Sequence, residues 1–74
     1  MSQIPTSKET ATWLMDECSE VIQELAKFNR YNGKWNETPP GKTKTRFELL
    51  KDEMEDVQRA WESLQTSISL ENLW

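Results

Sequence analysis

The chain has 74 residues, a length at which a single hydrophobic core is only marginally stable without a disulfide, a structural metal or association. Its one cysteine, Cys18, excludes an intrachain disulfide, and the absence of histidine argues against structural zinc, so we expect an oligomer. The net charge of −4 argues against nucleic acid as a partner, and the short apolar runs argue against a membrane span. Without a recognisable secretory signal at residues 1–5, a cytoplasmic protein is expected.

The first predicted element is an amphipathic helix from Ser7 to about Tyr31. Thr6 and Glu9 have the spacing of a capping box, which indicates the start of this helix, and Asn32-Gly33 indicates its end. Apolar residues recur at spacings of three and four and predict one buried stripe, formed by Leu14, Cys18, Val21, Leu25 and Phe28.

Residues 32–45 are predicted to be a loop, because they contain both glycines and two of the three prolines. A second helix is predicted from about Thr45 to about Gln65, and Ser67 to Trp74 is predicted to form a short third helix that docks on a neighbour. The apolar stripe of the second helix consists of Phe47, Leu50, Met54, Val57, Trp61 and Leu64. The predicted fold is therefore one all-α domain over residues 1–74, a helical hairpin with a short C-terminal helix, which assembles into a four-helix bundle by oligomerisation.

Both predicted helices carry the same eight-residue pattern, at an offset of 36 residues. The two copies are Leu14-Met-Asp-Glu-Cys-Ser-Glu-Val21 and Leu50-Lys-Asp-Glu-Met-Glu-Asp-Val57. Each copy places two carboxylates one turn apart on the shoulder of the apolar stripe, that is, on the side of the helix next to the stripe. If the stripes pack together, these four carboxylates can face each other, whereas Glu62 lies off this shoulder. The four residues are Glu17, Glu20, Glu53 and Asp56.

Four converging carboxylates repel one another, and cations among them relieve the repulsion. Ligands that are all oxygen favour Mg²⁺ or Mn²⁺ over zinc or copper. Magnesium keeps open positions for phosphate oxygens, and a metal-bound water could attack a phosphorus atom. The alternative interpretation is that the four carboxylates lie on solvated helical faces and bind no metal.

Other residues invite functional interpretation. Trp13, one turn before the first acidic pair, is a candidate for stacking on a nucleobase, although a tryptophan in a helix also serves as core. Trp61 and Cys18 lie on the apolar stripes and are predicted to pack in the core. Pro40-Gly-Lys-Thr43 has the ending of a P-loop motif, but Asn36 stands where that motif requires glycine and no strand precedes it.

The acidic motifs resemble those of a known enzyme family. They are similar to the signature of the MazG-like, all-α nucleoside triphosphate pyrophosphohydrolases. The residues that carry the similarity are Glu17-Cys-Ser-Glu20-Val-Ile-Gln23, then Lys27, Arg30 and Gly33, and then Glu53-x-x-Asp56-Val57. That signature is E-x-x-E, a spacer and E-x-x-D, on two helices of a bundle. The similarity covers about residues 10–64. The spacer here is longer than in many members of the family.

The resemblance implies a hydrolase acting on acid anhydrides, which cleaves a nucleoside triphosphate into a nucleoside monophosphate and pyrophosphate. It implies a homodimer or homotetramer that uses Mg²⁺, with Mn²⁺ as a substitute, and phosphate contacts from Lys27 and Arg30. The implied catalytic metal ligands are Glu17, Glu20, Glu53 and Asp56. Two alternatives remain open: a non-catalytic helical module that binds a nucleotide or a protein, and a structural hairpin within a larger assembly.

Overall fold

The computed structural model describes residues 4–30 and 33–72, which form two long α-helices and no strand. Helix α1 spans Ser7–Arg30 and helix α2 spans Arg46–Leu70. The start of α1 contacts the end of α2, so the helices form an antiparallel hairpin about 45 Å long. The all-α prediction is confirmed. Neither of these helices combines the length and the apolar character needed to span a bilayer.

Both helices begin at a capping box. At α1 the predicted box is confirmed: the Glu9 amide donates to Thr6 Oγ1 at 3.2 Å, and the Thr6 amide donates to Glu9 Oε1 at 3.3 Å. At α2 the same pair of bonds joins Thr45 and Glu48, at 3.1 and 2.8 Å. These bonds satisfy backbone donors that have no partner inside the helix, so short local motifs determine where each helix starts.

The connection between the helices folds back onto both of them. Its Trp35 ring stacks on Phe28 near the end of α1, with ring centroids 3.8 Å apart. The Phe47 amide in α2 donates to the Trp35 carbonyl at 2.9 Å. Gly33 lies against Arg46, and a Cβ atom on this glycine would come within 2.7 Å of the Arg46 Nε. One end of the hairpin is therefore closed by aromatic stacking and backbone hydrogen bonds.

Helix α2 continues through the residues that were predicted to form a separate third helix. Ser67 to Leu70 belong to α2, so the prediction of a short C-terminal helix is wrong, and the predicted helix end at about Gln65 is too early. No glycine or proline interrupts this stretch. The buried Ser67 hydroxyl donates to the Pro5 carbonyl at 3.0 Å, which holds the last turns of α2 against the start of α1.

Four residues at the predicted element ends cannot be compared with the structure. The described residues do not include Tyr31 and Asn32, at the predicted end of the first helix. They also do not include Leu73 and Trp74, at the end of the predicted tail.

The predicted apolar stripes are incompletely buried in the single hairpin: five of their eleven residues are exposed and six are partly buried. Among the described residues only Ala60 is a fully buried hydrophobic residue, at 0% exposure. Cys18 and Trp61 were predicted to be core residues, but both are exposed, Trp61 to 44%. The reason is that the helices meet along the acidic edge of the stripes, so only part of each stripe lies between them. On α1 this line is marked by partly buried residues: Leu14, Glu17, Val21, Glu24 and Phe28.

One side of the hairpin therefore presents an apolar face to solvent. We define this apolar face by its exposed residues: Cys18, Ile22, Leu25, Phe47, Met54 and Trp61. Ile22 is 65% exposed and Met54 is 50% exposed, and both line a shallow groove of about 260 Å³ that crosses from one helix to the other. Contiguous apolar surface of this kind marks a site of association.

Glu71 ties the open end of the hairpin together. Its carboxylate accepts hydrogen bonds from the Ser7 amide and from the Ser7 hydroxyl, the latter at 2.6 Å. The amide is one of the unpaired donors at the start of α1. Hydrogen bonds from the Ser7 hydroxyl and amide hold the pKa of Glu71 below its ordinary value of 4.5.

We predict that Glu71→Gln lowers the melting temperature by a few degrees at neutral pH. Because the folded pKa of Glu71 lies below the unfolded one, its contribution is fully present above pH 4.5 and is lost as the pH falls through the folded value. The difference between the two proteins should therefore shrink as the pH is lowered below 4.5 in thermal melts followed by circular dichroism. Glu55→Gln, at an exposed position of α2, is the control and should melt like the parent. A Glu71→Gln effect that is independent of pH would contradict this role.

Candidate metal centre

The structure brings together the four carboxylates of the repeated pattern. Each offers one oxygen atom, and these four oxygens all lie within 4.8 Å of one another. The antiparallel packing places Glu20 within hydrogen-bonding reach of Glu53 and brings Glu17 near the charge of Asp56. The carboxylate cluster therefore combines two pairs, each one helical turn apart, from two different helices.

Two oxygens of the carboxylate cluster are buried without a hydrogen-bond partner among the described residues. They are Oε2 of Glu17 and Oε2 of Glu53. Glu17, Glu53 and Asp56 are partly buried, and Glu20 is exposed. A buried acceptor without a donor costs free energy, and a bound cation would supply the missing partner. An all-oxygen donor set of this kind fits Mg²⁺ or Mn²⁺.

The proximity of the carboxylates also changes their affinity for protons. Partial burial raises the pKa of Glu17, the nearby charges of Glu20 and Asp56 add to the increase, and a hydrogen bond from Trp13 opposes it. The hydrogen bond with Glu53 raises the pKa of Glu20, and the negative charge of Glu53 acts in the same direction. Glu17 and Glu20 therefore hold protons more tightly than isolated carboxylates do, and a divalent cation would compete with those protons.

Trp13 contacts the carboxylate cluster directly. Its indole Nε1 donates a hydrogen bond to Oε1 of Glu17 at 3.0 Å, which leaves Oε2 as the Glu17 oxygen without a donor. The Trp13 side chain is 38% exposed and also lines a groove at the open end of the hairpin. Its role in stacking on a base stays a prediction, and the contact with Glu17 is an additional role that the sequence pattern did not indicate.

Arg59 is a cation at the edge of the cluster that the sequence analysis missed. Its guanidinium Nη2 forms an ion pair with Asp56 Oδ1, one turn earlier on α2. The signal in the sequence was the spacing of three residues, which makes two helical side chains neighbours. Because the pair is exposed to solvent, it adds little to stability, and its significance is the positive charge beside the carboxylates.

The two predicted phosphate-binding residues lie toward the loop end of the hairpin. Lys27 is seven positions beyond Glu20, about 10 Å along the helix axis. Its Nζ is 3.5 Å from Glu24 Oε1, and it lines a cavity of about 400 Å³ together with Arg46. Arg30 is the last residue of α1. The position of Lys27 two turns beyond the acidic pair makes it a candidate for the far end of a long ligand.

Glu62 lies outside the carboxylate cluster, as the helical pattern predicted, but it borders a groove next to the cluster. It lines the groove that also contains Trp13 and Arg59, and its Oε1 accepts a hydrogen bond from Gln58 Nε2 at 3.2 Å. Glu62 is therefore not a neutral control position for the site. Glu55 is a better control position, because it is exposed and lies two residues after Glu53. The substitution Glu55→Gln removes a charge near the cluster without changing a member of it.

Comparison of the chain with models of known protein families, with curated proteins and with solved structures gave no match. The resemblance to MazG-like pyrophosphohydrolases therefore depends on the motif residues alone.

We predict that Mg²⁺ or Mn²⁺ raises the melting temperature by several degrees relative to EDTA. A cation that binds the folded state adds stability by mass action, and here it also relieves repulsion among four carboxylates. Thermal melts at fixed protein concentration provide the measurement. The double variant Glu17→Gln/Glu53→Gln should lose this response, whereas Glu55→Gln should keep it. A parent protein that melts at the same temperature in saturating metal and in EDTA would argue against a preformed site.

Proposed function

We propose that this protein is a Mg²⁺-dependent hydrolase that cleaves a nucleoside triphosphate into a nucleoside monophosphate and pyrophosphate. The observation that carries the proposal is the convergence of the four carboxylate oxygens within 4.8 Å across two helices. The order of the motifs supports it, because E-x-x-E on the first helix and E-x-x-D on the second match the signature of the MazG-like enzymes. The buried Oε2 atoms of Glu17 and Glu53 add support, because they lack the partner that a cation would provide.

In this mechanism Glu17, Glu20, Glu53 and Asp56 would hold Mg²⁺ and, through it, orient the phosphates. When bound there, the ion would neutralise phosphate charge and acidify a water molecule. Water attacks the α-phosphorus, the bond from that phosphorus to the bridging oxygen breaks, and pyrophosphate leaves. Glu20 is suited to accept the proton of the water, because it is the exposed member of the cluster and its pKa is raised by Glu53. Arg59, beside Asp56, supplies positive charge at the edge of the site.

We infer that the working unit contains at least two copies of the chain, which pair through the apolar face. A single hairpin leaves Ile22, Met54 and Trp61 exposed and has only Ala60 as a fully buried hydrophobic residue among those described. Covering this face with the same face of a second copy would produce a four-helix bundle. The carboxylate cluster, on the neighbouring side of the hairpin, would keep its opening to solvent through the exposed Glu20.

Ile22→Glu tests this association. A charge in the middle of the apolar face should convert the oligomer into monomers or unfold it, because burial of a carboxylate between apolar side chains is unfavourable. Gln23→Glu places the same charge on the adjacent exposed position and should leave the oligomer intact. Sedimentation equilibrium at micromolar concentration is the measurement, and a folded parent monomer of 8.7 kDa would refute the proposal.

Glu53→Gln tests catalysis. The amide is a poor ligand for Mg²⁺, so release of pyrophosphate from the common nucleoside triphosphates should fall by more than about 100-fold, since loss of even an outer-shell partner costs 10–100-fold. Glu55→Gln, two residues away, should stay within about twofold of the parent. Equal rates in the two variants would contradict the site assignment.

The same assay separates the alternatives. Binding of a nucleotide without release of pyrophosphate would favour a non-catalytic module, and the absence of both would favour a structural hairpin that binds other proteins through its apolar face.

A further inference from the structure

We infer that the groove at the open end of the hairpin holds the nucleoside part of the substrate, with the base against Trp13. The groove lies between the segment that precedes α1 and the last turns of α2, and its volume is about 370 Å³. Residues that line it include Ile4, Pro5, Trp13, Arg59, Glu62 and Thr66. This inference rests on the proposed function, because the carboxylate cluster is where the phosphates would be bound.

The groove is continuous with the carboxylate cluster through two residues. Trp13 lines the groove and donates its indole N–H to Glu17 at 3.0 Å. Arg59 also lines the groove and forms an ion pair with Asp56. The groove therefore adjoins one carboxylate of the cluster on each helix.

The order of residues along α1 determines which part of a nucleotide fits the groove. At about 100° per residue, Trp13, the Glu17–Glu20 pair and Lys27 fall within about 80° of one another, on one side of the helix. Along the axis the aromatic ring comes first, the acidic pair follows, and Lys27 lies nearest the loop, where it shares a cavity with Arg46.

A triphosphate cleaved between its α and β phosphates has its α phosphate at the metal, its base on one side and two phosphates on the other. The cations at the loop end attract the β and γ phosphates. The opposite direction leads into the groove, which leaves this space for the sugar and base.

The chemistry of the lining suits a nucleoside. Ile4 and Pro5 provide apolar surface, and the partly exposed ring of Trp13 offers an aromatic face on which a base can stack. Glu62 accepts one hydrogen bond from Gln58 through Oε1, and its carboxylate retains capacity to accept others from a sugar hydroxyl or a base amino group. The volume lies within the range of about 300–1,000 Å³ that is typical of small-molecule pockets.

Thr66→Phe tests the inference by filling the groove. Calorimetry in Mg²⁺ should show binding of a nucleoside monophosphate weakened at least about tenfold, with binding of pyrophosphate unchanged, because the base loses its stacking position while the phosphate sites are intact. Gln65→Phe, at the adjacent exposed position outside this groove, is the matched control and should bind both ligands like the parent. Trp13→Leu should also lose monophosphate affinity, and this second variant keeps the test available if Thr66→Phe does not fold.

The outcomes separate this inference from the proposed function. If Mg²⁺ stabilises the parent protein but Thr66→Phe and Trp13→Leu bind the monophosphate normally, the groove assignment is overturned and the metal site is not. If Thr66→Phe weakens binding of the nucleoside monophosphate and of pyrophosphate equally, the groove does not hold the nucleoside part specifically, and the inference also fails. If Mg²⁺ neither stabilises the parent nor supports release of pyrophosphate, the proposed function fails, and the groove assignment fails with it.

Discussion

The packing line between the two helices is the constraint on which the rest of the structure depends. This line runs along the edge between each apolar stripe and its acidic shoulder, so Glu17, Glu53 and Asp56 become partly buried between the helices. Two of their oxygens lack a hydrogen-bond donor among the described residues. Mutual repulsion and lost solvation both disfavour this arrangement, and a divalent cation would remove both costs.

The same packing line explains the exposed apolar face. Because the helices use their shoulders to contact each other, Ile22, Met54 and Trp61 remain on the outside, and a single hairpin buries little apolar surface. Capping boxes, the stack of Phe28 on Trp35 and the bonds from Ser7 to Glu71 hold the hairpin at its ends. These contacts lie at the two ends and each is worth little, so the proposed metal binding and association would add stability that a single hairpin lacks.

The polar side of the hairpin has a direction along its length. An aromatic ring and a guanidinium lie at the open end, carboxylates lie in the middle, and lysine and arginine lie near the loop. A nucleoside triphosphate has the same order of chemical groups once its phosphates are bridged by a cation. Trp13 belongs to two of these regions, because its ring lines the groove while its N–H orients Glu17. In the proposed function, this one side chain would link recognition of the base to the position of a metal ligand.

The sequence by itself determined the local features of this protein: two amphipathic helices, the capping box at Thr6, the loop and the pairing of acidic residues within each helix. These depend on helical periodicity and on contacts over three or four residues, which a sequence states directly. The tertiary structure decided which shoulder of each helix faces the other, that Ser67 to Leu70 extend α2, and that the two acidic pairs converge. Helical periodicity defines a face but not the rotation of that face about the helix axis. That rotation is set by contacts between residues far apart in the chain, such as Ser67 with Pro5, and no local pattern encodes them.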